Sequence, residues 1–529
     1  MYSEGQRGSR GASPSPTSRS PHGGSGHMSL DPTERHQADQ EDPERVSLLS
    51  GSERTLTSDV EGSFRHLRPP SVFAITIAAS VLILIVDVVA SVPMAPRMVI
   101  FEDIICRNYY AAWQDDASMS DCKIEPVQSE LAQINAWKET FDTIPGLLVS
   151  IPYGALANRI GRNKVLLLAL IGCLLSDSWV ATVCLFPQTF PLRAIWLSGL
   201  FQLIGGGGAT VISMCYTSIG DVCSVEERTT AFSQVHAAVL LSELVSIPLG
   251  SSLISVNPWI PVLGAIGFMA VATLFAFLFT LNFPSFETTK HSHESDEMSP
   301  LVPSAPSSNL RDQLYQTTTK LVDACGWLTK DVLLMLVAFF CCQLSRQFSG
   351  VLLQYSSFKF NWEYSKASYL IALGAGVKLL VLIALIPRLT RYFINQRGFH
   401  PSKADKYTTI FSGFSLVVGS LFIFLSASPV VLIAGQTFIA LGFAFTVTAR
   451  SFLTGMVDQR HLSLLYTSVT TVTYGGVIVG GPLLAAAFQW GLNLGHFWLG
   501  MPFLVTAVLF ATATLAVSAA KNSKKCTDR

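Results

Sequence analysis

Long apolar runs, each about the length of a membrane-spanning helix, recur along most of this chain. A helix needs roughly 20 apolar residues to cross about 30 Å of hydrocarbon, and inside lipid its backbone groups must be bonded within the segment. Half of the residues are hydrophobic and only 14% are charged, whereas globular domains average about 25% charged residues. The chain is therefore predicted to be an all-α protein of the lipid bilayer.

Twelve runs are predicted, six on each side of a polar stretch. They lie at 72–92, 138–157, 164–185, 194–219, 230–253, 258–281, 331–355, 366–391, 407–427, 429–450, 462–488 and 495–519. This division predicts a six-helix bundle at 70–281, a linker at 282–330, a second bundle at 331–520, and polar tails at 1–69 and 521–529. The first tail is too poor in apolar residues to fold, so we expect it to be disordered.

A short internal repeat supports the division into sixes. Pro248 follows Gly220 by 28 residues (248 − 220), and Pro482 follows Gly455 by 27 residues (482 − 455). Matching landmarks in two halves are typical of duplicated transporter folds.

Lysine and arginine concentrate in the short loops on one side, which by the positive-inside rule places both termini in the cytosol. The segment 93–137 then becomes a long, net acidic outer loop, and it holds Cys106 and Cys122. A disulfide between these two cysteines and a pair of free thiols both remain open.

The loop between the second and third runs reads GALANRIGRNK from Gly154 to Lys164. It resembles the signature loop of the major facilitator superfamily, although Asn158 stands where the family usually has aspartate. The resemblance implies twelve helices in two pseudo-symmetric six-helix bundles that expose a central cavity to each side in turn. It also implies that Gly154, Asn158, Arg159, Gly161 and Arg162 form a conformational latch.

Further segments, FEDIICRNYY, GDVCSVEERTTAF and LLQYSSFKFNWEYSKASYL, look like a fungal branch of that family. Some members of the branch are similar to proton-coupled folate carriers, and others are efflux pumps for secondary metabolites. The resemblance implies a secondary active transporter that exports or sequesters a small organic compound. Proton-coupled uptake of a folate-like or carboxylated nutrient, and a transporter-like receptor, are the alternatives.

Other classes of function find no support in the sequence. It contains no Walker loop, no catalytic constellation and no metal-ligand spacing. We therefore expect that the protein is not driven by ATP, is not an enzyme, and binds no cofactor or metal. The net charge is zero, which gives no reason to expect a nucleic acid partner. We expect a monomer in the plasma membrane. The dileucine-type motif at 44–49 makes a vacuolar or endosomal membrane the alternative.

Ionisable residues within the apolar runs are costly, and this makes them candidates for function. Asp87, Asp142 and Arg346 are predicted to form one cluster that gates the cavity and carries protons, with a static salt bridge as the alternative. Glu243 is a second proton-carrier candidate, with a structural hydrogen bond as the alternative. The predicted substrate cavity includes Gln202, Lys378 and Gln436.

Overall fold

The computed structural model describes residues 72–113, 121–222, 225–282, 329–345, 348–457 and 462–521. All regular secondary structure in these residues is helical. The predicted N-terminal tail, residues 283–328 of the predicted linker and the end of the C-terminal tail lie outside the described residues, as does the dileucine-type motif.

Eight α-helices of the described residues make up the first six spans, because the first and fourth spans each contain two. They are α1 (Val72–Ser91) and α2 (Met94–Trp113) in span one, α3 (Glu125–Ile160), α4 (Arg162–Leu185), α5 (Ser198–Gln202) and α6 (Gly207–Val222) in span four, α7 (Val225–Ser252) and α8 (Trp259–Asn282).

Nine α-helices of the described residues make up the last six spans. Spans seven and ten each contain two separate helices, whereas the two of span eight are joined by the π-helical segment Val381–Leu385. The nine helices are α9 (Lys330–Leu344) and α10 (Phe348–Phe360) in span seven, α11 (Tyr364–Leu380) and α12 (Ile386–Arg391) in span eight, α13 (Pro401–Phe424), α14 (Pro429–Leu441) and α15 (Ala444–Thr454) in span ten, α16 (Leu462–Leu494) and α17 (Met501–Ala519).

Eleven spans in the described residues are long and apolar enough to cross a membrane, and α3 is the twelfth. This helix has 36 residues, so at about 1.5 Å per residue it is longer than the bilayer core is thick. Its first half carries several charged residues, which is why the sequence suggested a loop there.

The prediction that residues 93–137 form a loop is wrong. Most of this segment is helical, as α2 and the first part of α3. Val127 and Leu131 are fully buried in that part of α3. Packing of these apolar side chains therefore outweighs the charges that suggested a loop.

Interrupted helices occupy corresponding places in the two halves. Spans one and seven break at Val92–Pro93 and after Leu344, and spans four and ten break after Gln202 and Leu441. Interrupted segments at matching positions of two repeats are the usual mark of a transport site. The first and fourth spans of each half are thus the discontinuous ones.

Glycines on the fifth span of each half allow these breaks to pack closely. A Cβ on Gly250 of α7 would overlap the carbonyl oxygen of Val92, at the break in span one. A Cβ on Gly480 of α16 would overlap the carbonyl oxygen of Leu344, at the break in span seven. Each glycine lies two residues from the proline of the internal repeat, Pro248 or Pro482, so the repeat marks equivalent helix contacts.

The break in span four depends on three successive glycines with positive φ. Gly205, Gly206 and Gly207 have φ values of 85°, 83° and 65°, which only glycine adopts readily. The sequence predicted a span at 194–219, which the structure contains as Leu192–Ile219, but it did not indicate the break inside it. Three consecutive left-handed residues cannot continue a right-handed helix.

Apolar packing joins the two halves at one end of the molecule. In the cluster around the Cys106 region, Ile104 and Val127 of the first half share a core with Leu353 and Ile371 of the second half. Ala132 and Ala136 likewise pack into a cluster of second-half side chains. We call this end, where Cys106 and Cys122 lie, the disulfide end.

At the opposite end the clusters belong to one half each. One contains only residues of spans seven to twelve, such as Met335, Phe452 and Leu465. Another joins Ala157, Val165 and Met214 of the first half. The cores that hold the two halves together therefore lie toward the disulfide end.

An ion pair inside the first half ties α2 to α4. Arg97 Nη2 lies 2.6 Å from Asp177 Oδ1, and the two side chains are only 17% and 20% exposed. An exposed pair, Arg107 with Asp103, lies on the same α2 helix.

Replacing Gly205 by alanine is expected to destabilise the protein. The positive φ costs about 1–3 kcal/mol for a residue with a side chain, and the new Cβ would overlap backbone atoms of Leu168 and Ala169. Gly208→Ala is the matched control, because a Cβ there meets open space within a regular helix. Melting temperatures of the purified full chain in one detergent should fall only for Gly205→Ala; equal values would contradict the account of the break.

Removing Arg97 is expected to cost far more stability than removing Arg107. Arg97→Met leaves the half-buried Asp177 without its partner, and losing one member of a buried pair costs about 3–5 kcal/mol. Arg107→Met breaks an exposed pair, which is worth about 0–1 kcal/mol. Denaturant titration of the two variants measures both. Adding Asp177→Asn to Arg97→Met should recover part of the loss, and equal effects of the two arginine variants would contradict this role for the pair.

Candidate functional site

Each of the four interrupted spans carries a buried polar atom that has no hydrogen-bond partner among the described residues. These atoms are Asp87 Oδ2 in span one, Thr210 Oγ1 in span four, Ser345 Oγ in span seven and Gln436 Oε1 in span ten. Buried polar groups are normally satisfied, so each exception calls for an explanation. Four more atoms are in the same state, Arg97 Nε in span one and the hydroxyls of Ser242, Ser420 and Thr473 on uninterrupted spans. Since all four interrupted spans carry such an atom, the region between them is the candidate site for a ligand.

An acid–base group surrounds Asp87. The Asp87 carboxyl faces Ser242 and lies within electrostatic range of Glu243, both on α7. Ser242 Oγ is buried and does not reach hydrogen-bonding geometry with any described residue. The two proton-carrier candidates of the sequence, Asp87 and Glu243, are therefore neighbours, a proximity that the sequence did not predict.

The same group extends across the boundary between the halves through His236. This side chain is within electrostatic range of Glu243 and of Lys378 on α11, and its ring stacks on Phe443 at 5.6 Å between centroids. Phe443 lies at the break in span ten. Glu243 and Lys378 form no direct ion pair with any residue in the described ranges. Lys378 thus remains near the acidic group with its ammonium available to an anionic ligand.

The two glutamines predicted to line the cavity have different surroundings. Gln436 is 4% exposed, and its amide packs directly on Gly374 of α11, where a Cβ would overlap it. Gln202 donates to Ser176 Oγ at 3.4 Å and packs against Gly207. Gln436 therefore lies between two spans of the second half, whereas Gln202 fills the break in span four.

Asp142 is engaged within the first half. Lys138 Nζ lies 2.7 Å from Asp142 Oδ2, and Ser198 Oγ donates to Asp142 Oδ1 at 2.8 Å. The predicted cluster of Asp142 with Asp87 and Arg346 stays a prediction, because Arg346 falls outside the described residues. The partner that the structure gives Asp142, a lysine four residues earlier on the same helix, was missed in the sequence although its spacing is readable.

The signature loop is a single-residue turn between α3 and α4. Gly161 alone separates the helices, with φ of 95°, and its N–H donates to the carbonyl of Ala157. Arg159 is exposed, whereas the side chain of Asn158 lies outside the described set. A Cβ on Gly154 would meet open space, so the close approach expected at this glycine is absent in the conformation described.

A polar network crosses between the halves at the disulfide end, where Cys106 and Cys122 are bonded with their Cα atoms 5.4 Å apart. Glu102, 9% exposed, accepts from Gln128 of α3 and from Tyr364 of α11. Gln354 of α10 donates to the carbonyl and side-chain oxygens of Gln128 at 2.6 and 3.0 Å. These residues were not predicted to act in the site.

Lys123 is the cation of this network. Its ammonium donates to the carbonyls of Ser357 and Trp362 in the second half, at 3.2 and 2.9 Å. Burial lowers the pKa of Lys123, and the nearby Glu102 and Asp121 carboxylates oppose that shift.

Comparison with known proteins agrees with this architecture. Residues 136–398 match the family described as Major Facilitator Superfamily. The chain is similar to the efflux pump ustT of Aspergillus flavus, with 47% identity covering 90% of this chain and 95% of that protein. It is also similar to the MFS efflux pump atnC of Emericella nidulans, with 32% identity covering 81% of this chain and 84% of that protein.

A solved structure shows the same fold at low sequence identity. The human organic anion transporter MFSD10 (TETRAN) superposes with a TM-score of 0.52 and 18% identity, covering 85% of this chain and 100% of that protein. With interrupted spans at matching places in two six-helix bundles, and with close relatives of nearly the same length, this chain is a multi-pass membrane transporter that belongs to the major facilitator superfamily.

Proposed function

We propose that this chain is a secondary active transporter that exports a small organic compound in exchange for protons. The observation that carries export is the similarity, over nine-tenths of the chain, to a protein named as an efflux pump. A second relative with the same description supports it. Neither name favours uptake of a nutrient or a receptor without transport.

During the transport cycle the two halves close together at one end of the molecule while they separate at the other. Mixed apolar clusters and the polar network join the halves at the disulfide end. The signature loop lies at the opposite end, where Gly154 has free space beside it. In the opposite conformation the disulfide end separates and the latch end closes, so the region between the interrupted spans is exposed to the other side.

Proton coupling is assigned to the acid–base group at the centre. Asp87 and Glu243 lie within electrostatic range of each other, so a proton taken up by Asp87 removes the repulsion between two ionised carboxylates. Because Asp87 is on α1 and Glu243 is on α7, a change of charge alters the packing of two spans at once. The ammonium of Lys378, which belongs to the second half, then interacts differently with the charged and the neutral forms of this group.

The proposal includes the orientation of the chain and the membrane in which it lies. Both termini, the 1–69 and 521–529 tails and the 282–330 linker are placed in the cytosol, and the disulfide end is placed outside. The disulfide itself supports this orientation, since such bonds persist in oxidising compartments. Export places the protein in the plasma membrane, and the two bundles of one chain supply both walls of the cavity, so the unit is a monomer.

Asp87→Asn is expected to lower the rate of export driven by a pH gradient at least about tenfold, because an amide cannot take up the coupling proton. In cells that lack the native gene, mass spectrometry would identify the compounds that a wild-type copy removes from the cytosol. The same compound loaded into proteoliposomes then gives the rate under an imposed gradient. Asp103→Asn is the matched control, because Asp103 is exposed and paired only with Arg107.

Direction and coupling are separable in the same vesicles. Export in exchange for protons predicts that substrate and protons move in opposite directions, and that Asp87→Asn still exchanges substrate when no gradient is imposed. Movement of substrate and protons in the same direction would replace the proposal by coupled uptake. Full gradient-driven export by Asp87→Asn would remove Asp87 from the coupling site.

A further inference from the structure

Lys123 bridges the two halves at the disulfide end. It precedes α3 in the first half, yet its ammonium donates to two backbone carbonyls of the second half, those of Ser357 and Trp362. Both carbonyls belong to the C-terminal end of α10 and the turn that follows. Helix C-termini carry unsatisfied carbonyls and partial negative charge, so they attract a cation.

The second half builds this carbonyl cradle with its own residues. Asn361 has φ of 50°, a left-handed conformation that asparagine tolerates better than most residues. This turn brings the Trp362 carbonyl back over the end of α10, where Ser357 Oγ donates to it at 2.7 Å. Ser357 is 1% exposed, and it and Asn361, both of the second half, shape the cradle that receives the Lys123 ammonium.

The first half fixes Lys123 from the other side. Its neighbour Cys122 is bonded to Cys106 of α2, and its own backbone N–H donates to Asp121 Oδ1 at 2.8 Å. The carbonyl of Asp121 accepts in turn from Tyr110 of α2 at 3.0 Å. The disulfide and these bonds therefore hold the start of α3 against α2 and aim the lysine at the second half.

The surrounding charge is complementary. Within electrostatic range of the Lys123 ammonium lie Glu102 and Asp121 of the first half and Glu363 of the second. Glu363 precedes α11 and is exposed. The lysine is thus attracted to the second half by a carboxylate as well as by the two carbonyls.

We propose that Lys123 is a gating residue of the transport cycle, whose ammonium closes the disulfide end as a removable cap on α10. The Cys106–Cys122 bond positions it, so reduction of that bond weakens the same closure. Opening of this end releases the ammonium to water and the cradle carbonyls to solvent. The inference rests on the proposed alternation of the two closures.

The closure can be measured without a substrate. Ala132 of α3 is 6% exposed and packs against second-half side chains, so a cysteine there reacts with maleimide only when this end opens. Ala132→Cys is introduced into the full chain in lipid nanodiscs, and mass spectrometry follows labelling of the peptide that contains it. Lys359→Met is the matched control, because Lys359 also lies at the end of α10 but its ammonium bonds within its own half, to Tyr355.

Lys123→Met is expected to raise the labelling rate about tenfold, the effect of losing charge-assisted hydrogen bonds, and Lys123→Arg should restore most of the protection. Lys359→Met should leave the rate unchanged. Replacing both Cys106 and Cys122 by serine should also raise the rate, but not further in the Lys123→Met background, since the two changes act on one closure.

Three outcomes would overturn the inference. They are an unchanged rate in Lys123→Met, an equal rise in Lys359→Met, and full additivity of the disulfide and lysine changes. Melting temperatures of the variants, measured alongside, separate gate opening from unfolding, because unfolding would expose the buried Cys173 and Cys184 to labelling as well. If proton-driven export is not observed while the labelling rates change as expected, the proposed proton coupling is wrong and the gating role of Lys123 stands.

Discussion

Backbone hydrogen bonding in lipid is the constraint on which this structure depends. A helix that breaks inside the membrane exposes carbonyls and N–H groups that water does not reach, and each costs several kcal/mol if left unpaired. Here the breaks are covered by the protein itself. Tyr153 donates to the carbonyl of Leu203 at the break in span four, while Gly250 and Gly480 bring neighbouring helices against the breaks in spans one and seven.

Five of the eight buried side-chain polar atoms that lack a partner among the described residues lie on the interrupted spans. Many Ser and Thr hydroxyls elsewhere in the spans bond to the carbonyl four residues earlier on their own helix, as those of Thr182 and Thr273 do. Asp87, Ser345 and Gln436 are left with bonding capacity, and that capacity is available to a ligand between the halves.

Much of the fold was readable from the sequence because hydrophobic length is a direct physical requirement of the bilayer. The third run, predicted at 164–185, is α4 at Arg162–Leu185. The long charged start of α3 was not readable, since burial between two bundles is a tertiary effect that charge density hides. The Gly205–Gly207 break was within reach, because consecutive glycines permit left-handed backbone as well as close packing.

The site was less readable for a related reason. Depth along a span can be counted, so Asp87 and Glu243 could be singled out, but which spans touch depends on rotation of each helix about its axis. Counting grouped Asp142 with Asp87 and Arg346, which stays a prediction, and it did not indicate the ion pair of Asp142 with Lys138 that the structure contains. Lys123 carried no sequence signal, because its partners are backbone carbonyls more than 200 residues away in the chain, at separations of 234 and 239.

The distribution of strong and weak electrostatic contacts fits the work of a rocking transporter. The partly buried ion pairs, Arg97 with Asp177 and Lys138 with Asp142, lie inside the first half, where breaking one would cost up to about 3–5 kcal/mol. Between the halves lie an amide contact, a tyrosine bonded to the Glu102 carboxyl and a lysine on backbone carbonyls, each worth about 1–3 kcal/mol. A tenfold difference in proton concentration supplies about 1.4 kcal/mol per proton. Energies of that size can reset the contacts between the halves while leaving each half intact, so the boundary between them is where the molecule moves.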